Sequence, residues 1–301
     1  MPSVASLRQI RRRIRSVENT KKITRAMEMV AAAKLRRFQD FLESARPYTQ
    51  KLEEFLNQLP LHLKGYDHPY LEKISERGAT SWSPLQPKIS KTILVLFTSD
   101  TGLCGTYNAE IEGEASRWIE KNPDRQLQLV FVGKHGANSF HRKGKQILER
   151  FFDLRVSHVD EILEGLVKTL EKAFLETGVP EIYVAYTHME SLSKFHPVVE
   201  RILPIKRTAQ NETQKETIVE PDPKTVMGRL LPAFFESRLR LVFYHALLTE
   251  QIARMNAMRQ ATQNAKEMID ELTLSRNKAR QAAITKEIIE IVSGSRALRS
   301  K

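Results

Sequence analysis

Two stretches free of internal proline and glycine frame this 301-residue chain, one from Ser3 to Arg46 and the other from Pro232 to Val292. Neither helix-breaking residue interrupts them, so each can run as a single helix. At about 1.5 Å per residue, the first allows a rod of about 65 Å and the second one of about 90 Å. In the first, apolar residues fall at Leu7, Ile10, Ile14 and Val17, then at Met27, Val30, Leu35, Phe38 and Leu42. Their spacing alternates between three and four, which marks a seam against another helix. Ser3 reads as its N-cap and Pro47 as an end or a kink, with helical continuation through Leu59. Between Asn19 and Thr24 polar side chains stand where apolar ones are expected, which is either a site facing a partner or a stutter in the coil.

In the second stretch Pro232 suits a first turn and Gly294 an end. Leu239, Val242, Ala246, Ala253, Ala257, Ala261, Ala265, Met268, Leu272, Ala279 and Ala282 are its inward candidates, mostly small residues that let another helix approach closely. Helices this long are stabilised by burying a face, not by propensity, so each stretch is expected to be the other's antiparallel partner. Because the second is the longer, pairing leaves one of its tips single.

Between them, Leu61 to Lys91 is rich in Pro, Gly, His and Ser and reads as a linker with a short helix around Tyr70 to Glu76. Thr92 to Thr98, Leu127 to Val132 and Glu181 to Thr187 are apolar, β-branched runs suited to a sheet buried on both faces. Ala109 to Lys121 and Val159 to Thr177 read as helices between them, giving a βαβ alternation, and Val198 to Pro204 adds an edge strand. Lys206 to Pro223 is polar and reads as a hairpin or mobile loop. The expected fold class is therefore α/β, a long antiparallel coiled coil of N- and C-terminal helices with a central Rossmann-like α/β domain. The expected division is 1–60 N-terminal coiled-coil helix, 61–91 linker, 92–206 central domain, 207–230 polar loop or hairpin, and 231–301 C-terminal coiled-coil helix.

Chemistry-bearing motifs are sparse. No G-x-x-x-x-G-K-[ST] or G-x-G-x-x-G occurs. The nearest approach is Thr98-Ser99-Asp100-Thr101-Gly102-Leu103-Cys104-Gly105 after the first strand, where a ligand could sit at the carboxyl end of a sheet, or where Gly102 and Gly105 simply permit a tight turn. Pairs such as His62 with His68, or His188 with His196, lack the helical spacing and neighbouring carboxylates of a zinc site. Cys104, the single cysteine, excludes an internal disulfide and has no adjacent base. No metal, cofactor or catalytic residue is expected. The longest apolar runs are strand-sized, far short of the ~20 residues that span a bilayer, and the arginines near the N-terminus adjoin no apolar run, so no membrane anchor or secretory signal is expected.

The net charge of +12 points to an acidic partner, whether nucleic acid, an anionic membrane surface or an acidic protein. Lys and Arg dominate between Arg8 and Arg37, where Glu18 and Glu28 are the only acids. The polar interruption Asn19-Thr20-Lys21-Lys22-Ile23-Thr24 falls inside this basic stretch, which favours contact with an acidic partner over a merely solvated face. Nucleic acid competes as an explanation, but no aromatic residue precedes Phe38 for bases to stack on.

The termini are also recognisable as a pattern. Ile14-Arg15-Ser16-Val17-Glu18-Asn19-Thr20-Lys21-Lys22-Ile23-Thr24-Arg25-Ala26-Met27-Glu28-Met29-Val30-Ala31-Ala32-Ala33-Lys34 resembles the first helix of the γ subunit of F-type ATP synthases. Ala253-Arg254-Met255, Ala257-Met258, Ala261-Thr262, Asn264-Ala265 and Leu272-Thr273-Leu274, leading into Asn277-Lys278-Ala279-Arg280-Gln281-Ala282-Ala283-Ile284-Thr285, resemble that family's C-terminal signature. Glu220-Pro221-Asp222-Pro223 resembles the start of its last helix, and Ser99 to Gly105 stands where the family has a similar turn.

The resemblance implies a rotary, non-catalytic subunit. Its paired terminal helices would form a shaft inside a ring of three α and three β subunits, and its α/β domain would sit beside the ε subunit and the c-ring of the membrane sector. It implies a place peripheral to an energy-coupling membrane, on the cytoplasmic face of a bacterial inner membrane, with no nucleic acid bound. Lys21, Lys22, Arg25 and Met27 would face an acidic lever of β. Arg254, Gln281 and Thr285 would meet a β loop, while Ile288, Ile289 and Val292 would turn against an apolar collar of α and β. Thr101, Thr106 and Tyr107 replace residues expected to be basic, glycine and apolar, which implies a different contact with ε or c. The single cysteine leaves no pair for the thiol switch of chloroplast γ subunits.

Overall fold

The computed structural model describes residues 4–58, 68–72, 90–141, 147–191, 194–206, 220 and 222–299. Most of the expected 61–91 linker and 206–223 loop, and part of the short helix expected at 70–76, lie outside them. The helices are α1 (Val4–Gln58), α2 (Tyr107–Lys121), α3 (Lys134–His141), α4 (Val159–Leu175) and α5 (Pro223–Arg299). The strands are β1 (Ser90–Phe97), β2 (Arg125–Val132), β3 (Ile147–Phe151), β4 (Glu181–Ser191) and β5 (Lys194–Leu203). The chain divides into two compact units, one of residues 1–31 with 254–301 and the other of residues 32–253.

The larger unit is built on one five-stranded sheet of order β3-β2-β1-β4-β5. β1 runs parallel to β2 and β4, β2 runs parallel to β3, and β5 is antiparallel to β4. Alternation along the central strands splits the core in two. Ile93, Val95, Phe97, Val130, Val132, Ile182 and Val184 face a cluster that includes Phe38 and Leu42 of α1, Leu163 and Leu166 of α4, and Phe235, Leu239 and Phe243 of α5. Leu94, Leu96, Leu129 and Phe131 face a smaller cluster with Ile111 of α2 and Phe140 of α3. Both faces are covered, which is why these strands read as continuous apolar runs.

Pro47 lies inside α1, which continues to Gln58 as the expected continuation through Leu59 allows, whereas α5 starts at Pro223 with Pro232 inside it, so Pro232 does not mark the start expected of it. Asp222 supplies the cap instead: its Oδ1 accepts from the Thr225 amide at 2.9 Å and its Oδ2 from the Thr225 hydroxyl at 2.6 Å, with Pro223 next to it at the position a proline suits. An interior proline costs about 3 kcal/mol, whereas each fully buried large apolar side chain returns about 1.5–3. Leu42 and Leu56 flank Pro47, and Leu231, Phe234 and Phe235 flank Pro232, all buried, so burial wins at both places. Gly294 likewise lies within α5 and does not end it.

The smaller unit is an antiparallel pair of α1 and α5 segments. Thr262 donates its hydroxyl to Thr24 Oγ1 at 2.8 Å and Arg259 donates Nε–H to Glu28 Oε1 at 3.1 Å, so residue numbers fall on one helix as they rise on the other. In that register Val4 comes opposite the turn containing Ala282 and Ala283, and α5 continues to Arg299.

The seam of α1 differs from the apolar pattern in its sequence. Ile14, Thr24, Glu28, Ala31, Phe38, Leu42, Thr49 and Leu56 are buried, and Val17, Lys21, Leu35, Ala45 and Leu52 are half-buried, an unbroken alternation of three and four. Met27 and Val30 fall outside it, 37% and 57% exposed. The polar stretch is therefore neither a stutter nor a gap, because Lys21, Thr24 and Glu28 occupy seam positions themselves. On α5 the seam passes through Met258, Ala265, Ile269, Leu272, Ala279 and Ala283, while Met268 and Ala282, expected inward, are exposed.

Candidate partner-binding surface

Glu28 organises the polar part of the seam. Its carboxylate is only 9% exposed, with Arg25 Nη1 of the same helix donating to Oε2 and Arg259 Nε of α5 donating to Oε1, each at 3.1 Å. A buried carboxylate is tolerable only with such charge-assisted donors. One turn before it, the Thr24 hydroxyl donates a hydrogen bond to the Lys21 carbonyl at 3.1 Å. Beside this layer a groove is lined by Glu18, Lys21, Lys22, Arg25, Thr262 and Ile269. Its three cations outnumber the single acid, as a surface for an acidic protein requires.

The structure thus brings Lys21, Lys22 and Arg25 to one groove, and leaves Met27 on the surface of α1. Arg254 is buried, in contrast to an outward partner-facing group. Gln281 and Thr285 are exposed one turn apart, the Thr285 hydroxyl bonded back to the Gln281 carbonyl at 3.0 Å. Ile288, Ile289 and Val292 are 55%, 59% and 50% exposed, and Ile284 and Ile291 with them, all in the part of α5 beyond the turn opposite Val4.

The turn after β1 is filled by the chain's own bonds. Asp100 accepts from the amides of Lys134 and Leu154, at 3.1 and 2.7 Å, and Thr98 Oγ1 accepts from the Gly136 amide at 3.0 Å. Amides that could cradle a phosphate at the start of α3 are already engaged. Gly105 takes the left-handed conformation, but its companion there is Leu103, not Gly102. Tyr107 is buried, and its hydroxyl donates to the Ala246 carbonyl at 3.2 Å, so this departure from the family pattern ties α2 to α5 instead of altering an outer surface; Thr101 and Thr106 are exposed.

A histidine group was not legible as such in the sequence. His188 and His196 pair across β4 and β5 with rings 6.0 Å apart, and His245 of α5 lies 5.1 Å from His188. Burial first, then the neighbouring His188 and Arg46, hold His245 down from 6.5 to about 4. The folded chain then binds fewer protons than the unfolded chain below pH 6.5, so stability is full above that pH and is lost as pH falls toward 4. The expected loss is up to about 3 kcal/mol, and His245→Gln should flatten this part of a thermal-melting profile measured against pH. An unchanged slope in that variant would assign the effect to other groups.

Comparison with known proteins agrees with this geometry. The family model for ATP synthase matches residues 6–298. The ATP synthase γ chain of Moorella thermoacetica is 39% identical over 98% of this chain and 100% of its own length. The chain belongs to the ATP synthase γ-chain family. That of Dechloromonas aromatica is 37% identical over 97% of this chain and 99% of its own. Among solved structures, the Euglena gracilis mitochondrial ATP synthase, in its rotor and its OSCP/F1/c-ring assemblies, contains chains similar at TM-scores of 0.62 and 0.63 with 13% and 15% identity. They cover 94% and 99% of this chain, and 100% and 96% of those chains are covered in turn; at such identity the likeness is one of fold. Among the described residues no helix is long and apolar enough to cross a membrane.

Proposed function

We propose that this member of the γ-chain family is the rotating shaft of an ion-translocating ATP synthase, coupling a membrane c-ring to ATP synthesis or hydrolysis at β-subunit sites without a catalytic site of its own. The observation that carries this reading is the helical pair of residues 4–31 and 254–299, in which α5 continues past the turn opposite Val4 with its isoleucines exposed. A body of that kind has no threefold symmetry. Three chemically identical sites around it therefore meet different surfaces, and each is biased toward a different conformation. Swinging one site from 1:99 to 99:1 takes about 5.5 kcal/mol of differential contact, which a few charged and packed contacts supply.

In this reading Lys21, Lys22, Arg25 and Met27 meet an acidic segment of β, Gln281 and Thr285 meet a β loop, and Arg254, about 40 Å back along α5, meets β at a separate point. Ile288, Ile289 and Val292 run against an apolar collar of α and β. The functional division assigns the terminal helices, within 1–60 and 231–301, to torque and the sheet-bearing 92–206 to contact with ε and the c-ring. The complex would lie peripherally on the cytoplasmic face of a bacterial inner membrane. Co-purification tests the assignment: a tagged chain is expected to recover α and β at about three each per shaft, as a closed ring requires. Recovery of the chain alone, or with nucleic acid, overturns it.

A further inference from the structure

Glu28 joins the two helices of the smaller unit at one point and a candidate partner-facing residue at another. Its Oε1 accepts a hydrogen bond from Arg259 on α5, its Oε2 accepts one from Arg25 on α1, and the Glu28 side chain is nearly buried while both arginine side chains are 63% exposed. A single polar seam position fixes helix register in coiled coils at some cost in stability. The neighbouring layers cannot do so unaided. Ala31 and Ala265 are small, and after a slip by one turn Thr262 could bond to Thr20 instead of Thr24, whereas such a slip would leave the Glu28 carboxylate opposite Met255 or Gln263 and Arg259 without its acid. The Arg25 guanidinium, one of three cations on the groove with Lys21 and Lys22, is held within α1 by the same carboxylate, so its direction depends on Glu28.

We propose that Glu28 is a positioning residue that locks the register of α1 against α5 through Arg259 and, through Arg25, fixes the cationic face offered to the acidic partner. The first half stands on the helical pair alone, and the second rests on the rotary reading above. Register is read by oxidative cross-linking in the full chain, comparing Thr24→Cys with Thr262→Cys against a one-turn-shifted pair, Thr24→Cys with Lys266→Cys. Coupling is read as ions pumped per ATP hydrolysed after assembly with α, β and the membrane sector.

Glu28→Gln is expected to lower the ratio of native to shifted cross-link by about tenfold, the size of coupling found between contacting charged residues, and to reduce ions per ATP at least about twofold. The swap Glu28→Arg with Arg259→Glu should restore the cross-link ratio but not the pumping, because a guanidinium at position 28 repels Arg25. An unchanged ratio in Glu28→Gln removes the register lock, and a swap that restores both readouts removes the role through Arg25. Should Glu28→Gln fail to fold, Glu28→Met with Arg259→Leu removes both charges together, and the same fall in ratio is required of it. If the parent chain does not assemble or pump, the rotary reading fails while the cross-link ratio still decides the lock.

Discussion

Gly133→Ala is expected to unfold the sheet-containing unit under conditions in which Gly102→Ala does not. Gly133 follows β2 with φ +104, and a Cβ placed there would stand 2.1 Å from the backbone oxygen of Thr98. That oxygen cannot move alone, because the Thr98 amide donates to the Val132 carbonyl and the Gly133 amide to the Phe151 carbonyl, both at 2.8 Å. Relief of the clash means parting the ends of β1 and β2 and losing these bonds. The left-handed conformation of an alanine costs about 1–3 kcal/mol, and each stranded buried amide or carbonyl about 1–3 more. Together these approach a domain's whole stability of about 5–15 kcal/mol. At Gly102 a Cβ meets nothing within 4 Å and φ is not positive, so alanine there should be neutral, or stabilising by about 0.4–1 kcal/mol through the unfolded chain. Urea unfolding with hydrogen exchange at the amides of β1 and β2 separates the two. Equal midpoints would mean that β1 and β2 part at little cost.

Much of this architecture was legible because three strands are buried on both faces. β1, β2 and β4 announce themselves as β-branched runs, and α2 and α4 carry clear apolar periodicity. β3 and α3 did not. Ile147-Leu148-Glu149-Arg150-Phe151 is an edge strand whose middle residues are exposed, so burial imposes no pattern, and Lys134–His141 is a short helix containing Gly136. The continuation expected beyond Pro47 reaches Gln58, whereas the start expected at Pro232 failed, because a proline's cost is local while seam burial accumulates along the helix.

The candidate surface was half legible for a related reason. The apolar residues Met27 and Val30 seemed to continue the seam, but the phase fixed by Ile14 and Val17 leads to positions 21, 24, 28 and 31. Phase, not hydrophobicity, was the usable signal, and it places Lys21, Thr24 and Glu28 inward. No such rule reveals that Arg254 is buried, or that His188, His196 and His245 converge, the latter because it depends on how the larger unit's part of α5 lies over β4 and β5.

Replacing Ile288, Ile289 and Val292 together by Asp is expected to leave the chain's own melting nearly unchanged while abolishing coupled ATP synthesis in the assembled complex. All three are at least half exposed, and surface substitutions of this kind usually stay within about 0.5 kcal/mol each. A folding role would give the opposite ranking, with a large shift in melting. Against the proposed apolar collar the balance reverses: each residue forfeits about 1.5–3 kcal/mol of apolar burial, and each new carboxylate must be desolvated without a partner. Three such losses exceed the ~5.5 kcal/mol needed to swing one site between its two states, so synthesis should fall more than tenfold even where α and β still co-purify. Lys286→Gln, on the exposed turn just before them and paired with Glu290 at 3.6 Å, serves as the control and should change neither melting nor synthesis. Synthesis at the parent rate in the triple variant would show that the end of α5 turns without touching its surroundings and would remove the collar from the reading.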